Sequence, residues 1–221
     1  MAPVRRGLFL DLDGTLADSL GVMKAVFIAF HARYGLTCTD ADFEKANGPP
    51  LSEIVSGLRS RYGLPGTAAE LLADYWRLLE DEFLGVAAVE GAEELLRVAS
   101  ERGWIPAVVT SSSEKIAREW LRRRGLDRFV SDVIGSESVR EGKPSPAPYR
   151  VALERTGADA EASIAVEDSR SGVSSARGAG LFTFFLDRRG EGAPLDEAAN
   201  PDARGGLETI RALRDVLPRI A

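Results

Sequence analysis

The sequence predicts an α/β fold: a doubly wound parallel sheet with an inserted, all-helical second domain. Three observations lead to this prediction. Short continuous apolar runs alternate with helical patterns, the stretch 18–85 holds helical patterns but no convincing strand, and acidic or hydroxyl residues directly follow several apolar runs. Continuous apolar strands are typical of parallel sheets that helices cover on both faces. The alternation of strand and helix favours the doubly wound arrangement.

The predicted core elements follow from these patterns. The buried strands are predicted at Leu8–Leu10, Ile105–Val109, Val133–Ile134, Ile164–Val166 and Phe182–Leu186. Helical patterns that stop before a glycine, the usual residue just past a helix, are Ala92–Arg102, Glu114–Arg124 and Pro146–Arg155. Towards the end of the chain, Arg188–Gly206 is predicted to be an irregular surface segment, and Leu207–Leu217 predicts a terminal helix.

The first strand is followed by a helical insertion that is too long for a loop. Its predicted helices are Ser19–Tyr34, Asp40–Ala46, Ser52–Tyr62 and Thr67–Phe83, with turns at Asn47–Pro50 and Gly63–Gly66. We therefore divide the chain into an α/β core, residues 1–17 and 86–221, and a helical cap domain, residues 18–85. Both crossings lie at the carboxyl edge of the sheet, where such folds bind ligands, so the insertion is expected to act as a lid.

The composition is that of an ordinary globular protein and argues against several partners. Of the 221 residues, 44% are hydrophobic and 28% are charged, and the net charge is −6 with a sequence pI near 5.1. This acidity disfavours binding to a nucleic-acid backbone. No segment resembles a signal peptide or reaches the roughly 20 apolar residues of a membrane-spanning helix. We expect a cytoplasmic protein, monomeric or homodimeric, without a nucleic-acid or membrane partner.

The chain has one cysteine, Cys38. A single cysteine excludes an intrachain disulfide and fits a reducing compartment. We expect Cys38 to be a small buried apolar side chain.

Two aspartates, Asp11 and Asp13, follow the first predicted strand, and Gly14 comes next. Carboxylates beside an apolar strand need a counter-charge, for which Mg²⁺ is the obvious candidate. A carboxylate can also attack phosphorus and form an acyl phosphate. Glycine permits the tight turn that this position needs. Helix capping is the structural alternative, but it suits Asp18 and Ser19 better than the two aspartates at the strand end.

Hydroxyl residues follow the second predicted strand at Thr110, Ser111 and Ser112. Together with free backbone N–H groups at a helix start, these hydroxyls can hold a phosphate. Ser111 and Glu114 also have the spacing of a capping box, which is a purely structural alternative. Thr110, nearest the strand end, is the favoured ligand contact.

A lysine and a second acid pair complete the pattern. Pro144 keeps Lys143 out of helical geometry at a helix entrance, where its ammonium group can neutralise a phosphate or a carboxylate; an exposed loop lysine is the alternative. Glu167 and Asp168 end the fourth predicted strand, and two adjacent buried acids are costly unless a metal or hydrogen bonds compensate them. Helix capping explains only one of the two. Because the carboxyl ends of parallel strands meet at one edge, the sequence predicts an active site there.

Taken in order, the Asp-x-Asp-Gly-Thr, Thr-Ser, Lys-Pro and Glu-Asp-Ser motifs resemble those of the haloacid dehalogenase (HAD) superfamily over essentially the whole chain. The resemblance implies a Rossmann-like core with a helical cap, in the phosphatase or beta-phosphoglucomutase-like branch. It implies that Asp11 is the nucleophile and Asp13 the general acid and base. The implied phosphate contacts are Thr110, Ser111, Lys143, Asp13 and Gly14. The implied Mg²⁺ ligands are Asp11, Glu167, Asp168 and the main-chain carbonyl of Asp13.

The implied activity is magnesium-dependent hydrolysis of small phosphorylated metabolites, of the sugar-phosphate or phosphoglycolate type, through an aspartyl-phosphate. Asp13 argues against the dehalogenase branch, which lacks the second aspartate of the first motif. Phosphoglycolate phosphatases commonly have Gly-Asp where this chain has Glu167 and Asp168, which favours a sugar-phosphate substrate.

Two alternatives stay open. A phosphosugar mutase resembling beta-phosphoglucomutase also fits the acid pair, but that family carries a histidine and an arginine in its cap where this chain has Met23 and Leu51. A catalytically idle binding protein on the same fold is the second alternative, because fold alone does not establish activity. The intact set of acidic, hydroxyl and lysine residues argues against it. Whether Thr15, Ser111 or Ser112 contacts phosphate also stays open.

Overall fold

The computed structural model describes residues 3–46, 49, 51–188, 190 and 205–221. Six strands form one sheet: β1 (Gly7–Leu10), β2 (Ile105–Val109), β3 (Asp132–Ile134), β4 (Ile164–Glu167), β5 (Phe182–Leu186) and β6 (Leu207–Ile210). Their spatial order is β3-β2-β1-β4-β5-β6, and all neighbouring pairs are parallel. The order reverses between β1 and β4, so the carboxyl ends of these two strands mark the place where open α/β sheets bind ligands.

The helical insertion lies between β1 and the remaining core, as predicted. Its helices are α1 (Leu20–Arg33), α2 (Asp40–Ala46), α3 (Leu51–Tyr62) and α4 (Ala68–Gly85). A capping box begins α4, in which Thr67 and Glu70 satisfy each other's backbone N–H groups. The outgoing and returning segments lie side by side, since the Asp18 N–H donates to the Ala87 carbonyl at 2.9 Å and the Val89 N–H donates to the Leu16 carbonyl at 2.8 Å.

Five further helices accompany the sheet: α5 (Ala92–Glu101), α6 (Glu114–Arg124), α7 (Ala147–Thr156), α8 (Arg170–Gly178) and α9 (Leu217–Ile220). Alternate residues of β1 join different apolar clusters: Leu8 and Leu10 pack with α5, α6 and the insertion, whereas Phe9 packs with α7 and α8. The sheet is therefore covered on both faces, which explains why its strands are continuous apolar runs. Among the described helices, none has the length and apolar character that a membrane crossing requires.

The prediction of a terminal helix over Leu207–Leu217 is wrong for the first part of this range. Leu207–Ile210 is the edge strand β6, a short 3₁₀ turn follows at Leu213–Val216, and helix begins only at Leu217. The apolar residues recur every three or four positions and imitate a helix, but the free edge of β5 supplies backbone partners. Thus the Asp187 N–H donates to the Ile210 carbonyl at 2.9 Å.

Three other expectations have different outcomes. Cys38 is free but only partly buried, so it is not the fully buried side chain that was predicted. The predicted irregular segment Arg188–Gly206 lies outside the described residues except at positions 188, 190, 205 and 206. The predicted turn Asn47–Pro50 likewise lies outside them except at Pro49.

Candidate active site

The turn after β1 places Asp11 at the carboxyl edge of the sheet. Asp11 is only 6% exposed, and its N–H donates to the Val166 carbonyl at 3.0 Å, which ties the turn to β4. Gly14 follows with a φ of 84°. A Cβ atom at Gly14 would lie 2.0 Å from Oδ2 of Asp168, so both the backbone conformation and the available space require glycine.

Lys143 lies at the centre of the site, and it is 4% exposed. Its Nζ donates to Oδ1 of Asp11 at 2.6 Å and to the Val109 carbonyl at 2.9 Å, and it lies 2.5 Å from Oε1 of Glu167. Burial by itself lowers the pKa of Lys143, but the Asp11 and Glu167 carboxylates outweigh that effect and hold the pKa above its ordinary value. The lysine therefore stays charged and neutralises part of the acidic cluster.

The acid pair at the end of β4 carries more negative charge than its surroundings compensate. Glu167 is fully buried, and burial raises its pKa to about 7 although hydrogen bonds from Lys143 and Tyr149 oppose the shift. Burial, followed by the charges of Asp11 and Glu167, raises the pKa of Asp168 well above its ordinary value. Both acids therefore bind a proton more readily than an exposed carboxylate does, and a nearby cation would favour their charged forms.

The same acids fit a divalent cation. Asp11, Glu167 and Asp168 each offer one carboxylate oxygen, and these oxygens lie within 4.8 Å of one another. Oxygen donors of this kind suit Mg²⁺, and a bound cation would favour the charged forms of these buried acids. The Asp13 carboxylate is not part of this group; its predicted contribution is the main-chain carbonyl, which stays a prediction.

The Asp13 carboxylate faces hydroxyl groups instead. Ser19 Oγ donates to its Oδ1 at 3.0 Å, Ser112 Oγ donates to its Oδ2 at 2.9 Å, and Thr110 Oγ1 lies 3.5 Å from Oδ2. Burial raises the pKa of Asp13 to about 6, with a further contribution from the Asp11 charge, while the serine hydrogen bonds and Lys143 oppose it. An acid with this pKa can both give and take a proton near neutral pH.

The hydroxyl residues after β2 take different positions. Ser111 and Ser112 line the cavity above the site, whereas Thr110 lines a small adjoining cavity together with Ser111 and Lys143. The N-cap of α6 is Ser113, whose Oγ accepts the Ile116 N–H, so the capping-box alternative for Ser111 is wrong.

Thr15 lies apart from the cavity. It is fully buried, and within the described part of the chain its Oγ1 has no hydrogen-bond partner. The cavity is lined by Ser111 and Ser112 instead, and which of these side chains contacts phosphate stays a prediction.

The cavity has two chemically different sides. The core contributes what we call the polar floor: Asp11, Asp13, Ser111, Ser112, Lys143, Asp168 and Ser169. The insertion contributes what we call the apolar roof: Met23, Phe27, Phe43, Ala46, Pro49, Leu51, Ile54, Tyr75, Trp76 and Leu79. The predicted catalytic groups therefore open into a space that the insertion covers.

Comparisons with known proteins agree with this geometry. The sequence profile of the haloacid dehalogenase-like hydrolases matches residues 8–186. This chain belongs to the haloacid dehalogenase-like hydrolase family. A hydrolase from Pseudomonas syringae superimposes on this HAD hydrolase with a TM-score of 0.81 and 22% sequence identity, over 98% of each chain.

Characterised relatives of this HAD hydrolase include phosphatases. Phosphoglycolate phosphatase from Rhodospirillum rubrum is 30% identical over 185 residues, which are 80% of this chain and 77% of the relative. Hexitol phosphatase A from Escherichia coli K12 is 29% identical over 198 residues, 87% of this chain and 88% of the relative. The protein is a phosphoric monoester hydrolase of the phosphatase branch.

Two residues of this HAD hydrolase support the site but were not predicted from the sequence. The Tyr149 hydroxyl donates to Oε1 of Glu167 at 2.5 Å. A Cβ atom at Gly172 would lie 1.9 Å from Oε2 of Glu167, so glycine makes room for that carboxylate. Tyr149 falls within the predicted helical pattern Pro146–Arg155, but periodicity gives the face of a residue and not its partner.

Proposed function

We propose that this HAD hydrolase is a magnesium-dependent phosphatase that forms an aspartyl-phosphate on Asp11. One observation carries the proposal: Lys143 joins Asp11 to Glu167, while Asp13 lies beside them among hydroxyl donors with a pKa of about 6. A nucleophile, a fixed cation and an acid or base are thereby present at one end of the cavity. This combination fits phosphoryl transfer from a monoester.

The first step uses Asp11 and Asp13. An Asp11 carboxylate oxygen forms a bond to phosphorus while the bond from phosphorus to the ester oxygen breaks. Protonated Asp13 gives its proton to the departing oxygen, so the alcohol leaves neutral. Because the pKa of Asp13 is about 6, part of the enzyme population carries this proton at neutral pH.

The second step reverses the role of Asp13. As a carboxylate, Asp13 takes a proton from a water molecule, whose oxygen then attacks the phosphorus of the aspartyl-phosphate. The bond from phosphorus to the Asp11 oxygen breaks, which releases inorganic phosphate and restores the Asp11 carboxylate. The hydrogen bonds from Ser19 and Ser112 hold the Asp13 carboxylate in one orientation for both proton transfers.

The remaining floor residues position the phosphate and the cation. Lys143 offsets negative charge on the phosphoryl group and on Asp11, and Thr110, Ser111, the Asp13 segment and Gly14 supply hydrogen-bond donors. Mg²⁺ held by Asp11, Glu167, Asp168 and the Asp13 main-chain carbonyl supplies charge neutralisation for the phosphoryl oxygens when it is bound. Lys143 and Tyr149 keep Glu167 oriented towards this group.

The helical insertion, residues 18–85, acts as the cap that keeps bulk water from the aspartyl-phosphate. The enzyme is proposed to act in the cytoplasm, as a monomer or a homodimer, on small metabolites rather than on nucleic acid. A mutase gains no support from the cavity. Met23 and Leu51, the positions compared with a mutase histidine and arginine, line it with apolar side chains that cannot transfer a proton.

The test is phosphate release from acetyl phosphate, an aryl phosphate, phosphoglycolate and several sugar phosphates, with Mg²⁺ or with EDTA. We expect turnover that requires Mg²⁺ and that is lost in Asp11→Asn. Asp18→Asn is the matched control, because Asp18 belongs to the same segment but its exposed carboxylate pairs with Arg188 and does not line the cavity that holds Asp11. Turnover that survives in Asp11→Asn, or that EDTA leaves unchanged, would contradict the proposal.

A further inference from the structure

The roof of the cavity offers almost no hydrogen-bonding groups to a substrate. Its described side chains carry no charge, no amide and no aliphatic hydroxyl; their hydrogen-bond donors are the Tyr75 hydroxyl and the Trp76 indole N–H. The described floor, by contrast, supplies carboxylates, serine hydroxyls and an ammonium group. The two sides therefore select for two different parts of one molecule.

The floor accounts for the phosphate and leaves the organic group to the roof. Asp11, Lys143 and Asp168 lie at the carboxyl edge of the sheet, and the phosphate that reacts there cannot lie against the roof as well. Other cavities adjoin parts of the floor, but among the described ones Asp11 and Asp13 line the cavity that the roof covers. An organic group attached to a phosphate at Asp11 therefore extends towards the insertion. Four of the roof residues are aromatic, namely Phe27, Phe43, Tyr75 and Trp76. Aromatic side chains offer a large apolar surface that an organic group can cover.

Several roof side chains keep apolar surface uncovered. Met23, Leu51, Ile54 and Trp76 are only half-buried although each contacts the cavity. An apolar organic group would remove this surface from water, which is favourable. A sugar or polyol group would lose water from its hydroxyls and find too few partners, which costs free energy for each unpaired hydroxyl.

We infer that the organic group of the substrate is apolar or aromatic, so that the enzyme hydrolyses apolar phosphomonoesters in preference to sugar and polyol phosphates. The inference rests on the proposed phosphatase function and names its substrate class. It differs from the sugar-phosphate substrate that the Glu167-Asp168 motif favoured, because that motif belongs to the floor. The floor acts on the phosphate, which all these substrates share.

The test compares 2-phenylethyl phosphate with glycerol 3-phosphate and sorbitol 6-phosphate. All three release an aliphatic alcohol, and the polyols are the better leaving groups, so a preference for the phenylethyl ester must come from binding. We expect its kcat/KM to exceed those of the polyol esters by about tenfold or more. Acetyl phosphate has an organic part too small to contact the roof. Its hydrolysis therefore measures phosphatase activity independently of the preference for the organic group.

Two variants of α3 locate the effect. Ile54→Asn places an amide in the roof, and we expect the ratio of kcat/KM for phenylethyl phosphate over glycerol 3-phosphate to fall about tenfold. Leu58→Asn is the matched control: Leu58 is half-buried one turn further along the same helix but does not line the catalytic cavity. Its ratio should equal that of the wild type.

The outcomes separate the two proposals. Polyol phosphates that are hydrolysed as well as or better than phenylethyl phosphate, with acetyl phosphate also hydrolysed, would overturn the apolar substrate class and leave the phosphatase function intact. An equal fall of the ratio in Ile54→Asn and Leu58→Asn would also overturn it, since the effect would then not come from the roof. Failure to hydrolyse acetyl phosphate would overturn the phosphatase function and this inference with it.

Discussion

The floor and the roof of the cavity differ in how their residues are held. In the floor, Lys143 pairs with Asp11 and Glu167, and Asp13 accepts hydrogen bonds from serine hydroxyls. In the roof, apolar and aromatic side chains pack without such pairing, as Phe30 and Tyr75 show with ring centroids 5.0 Å apart in the adjoining core of the insertion. The residues proposed for catalysis therefore lie at the sheet edge, and the residues proposed to select the organic group of the substrate lie in the insertion. A substitution in the roof can change substrate preference while the charged residues of the floor keep their contacts.

The largest effect is expected from replacing Lys143, the buried ammonium group of the floor. Lys143→Met leaves Asp11 and Glu167 without their counter-charge in a buried site, so we expect a loss of about 3–5 kcal/mol in the free energy of unfolding near neutral pH without metal. Turnover should fall at least about a hundredfold because a charge next to the phosphoryl group is gone. Urea unfolding in EDTA and phosphate release measure the two effects.

Lys115→Met is the control for that experiment, since Lys115 is exposed on α6. It should leave both the unfolding free energy and the turnover near the wild-type values. Equal losses in the two variants would show that the buried position of Lys143 has no special role in the floor.

A glycine substitution beside Glu167 and one in the insertion should change the free energy of unfolding in opposite directions. Gly172→Ala directs a Cβ atom to 1.9 Å from the Glu167 carboxylate, so we expect a loss of about 1–3 kcal/mol in stability and roughly ten- to a hundredfold weaker Mg²⁺ binding. Gly57→Ala in α3 meets nothing within 4 Å and should gain about 0.5–1 kcal/mol. Thermal unfolding and Mg²⁺ titration measure both variants; a Gly172→Ala variant that binds Mg²⁺ normally would contradict the assigned role of Glu167.

Two tyrosine–carboxylate hydrogen bonds offer a matched comparison. Tyr149→Phe removes the donor to Glu167, and Tyr34→Phe removes a donor to Asp74 of the insertion at 2.8 Å. Each should cost about 1 kcal/mol of stability. Only Tyr149→Phe should also weaken Mg²⁺ binding and lower kcat, because Glu167 loses its orientation. If both variants kept wild-type Mg²⁺ affinity, Tyr149 would be a structural residue alone.

The last comparison is a pH dependence of stability in EDTA. The pKa of Asp13 rises from 3.8 to about 6 and that of Glu167 from 4.5 to about 7 on folding. Between these values the folded protein holds protons that the unfolded chain has released, so the free energy of unfolding falls as pH rises through that window. Thermal melting should give a Tm that is several degrees lower at about pH 8 than at about pH 5, and added Mg²⁺ should reduce the difference. A Tm that rises across this window would contradict the acidic cluster.

Much of the fold could be predicted because its strands are buried on both faces. Continuous apolar runs marked β2 and β5 at their observed bounds and β1, β3 and β4 to within one residue. The edge strand β6 was missed, since its apolar residues recur at helical spacing and only the neighbouring strand β5 reveals that it pairs. The local sequence pattern of a segment does not show which distant strand it pairs with.

The candidate site was predictable to the extent that its residues follow strand ends. Asp11 and the acid pair were placed at one edge by topology alone, and the structure brings them together as expected. The supporting residues Tyr149 and Gly172 could not be found this way, because both lie inside helices and act through contacts across the fold. The apolar character of the roof could not be predicted either, because its residues come from four helices and Pro49 and are far apart in the sequence.

The most direct test is to identify the residue that carries the phosphoryl group. Asp13→Asn, which cannot take the proton from water, is mixed with Mg²⁺ and acetyl phosphate, whose acetate leaves without a proton from Asp13. The sample is quenched in acid and reduced with borohydride, which converts an acyl phosphate to the alcohol. We expect peptide mass spectrometry to find homoserine at position 11 and at no other aspartate. Reduction at another acidic residue, or unmodified Asp11 in samples that release phosphate, would contradict the role of Asp11 as the nucleophile.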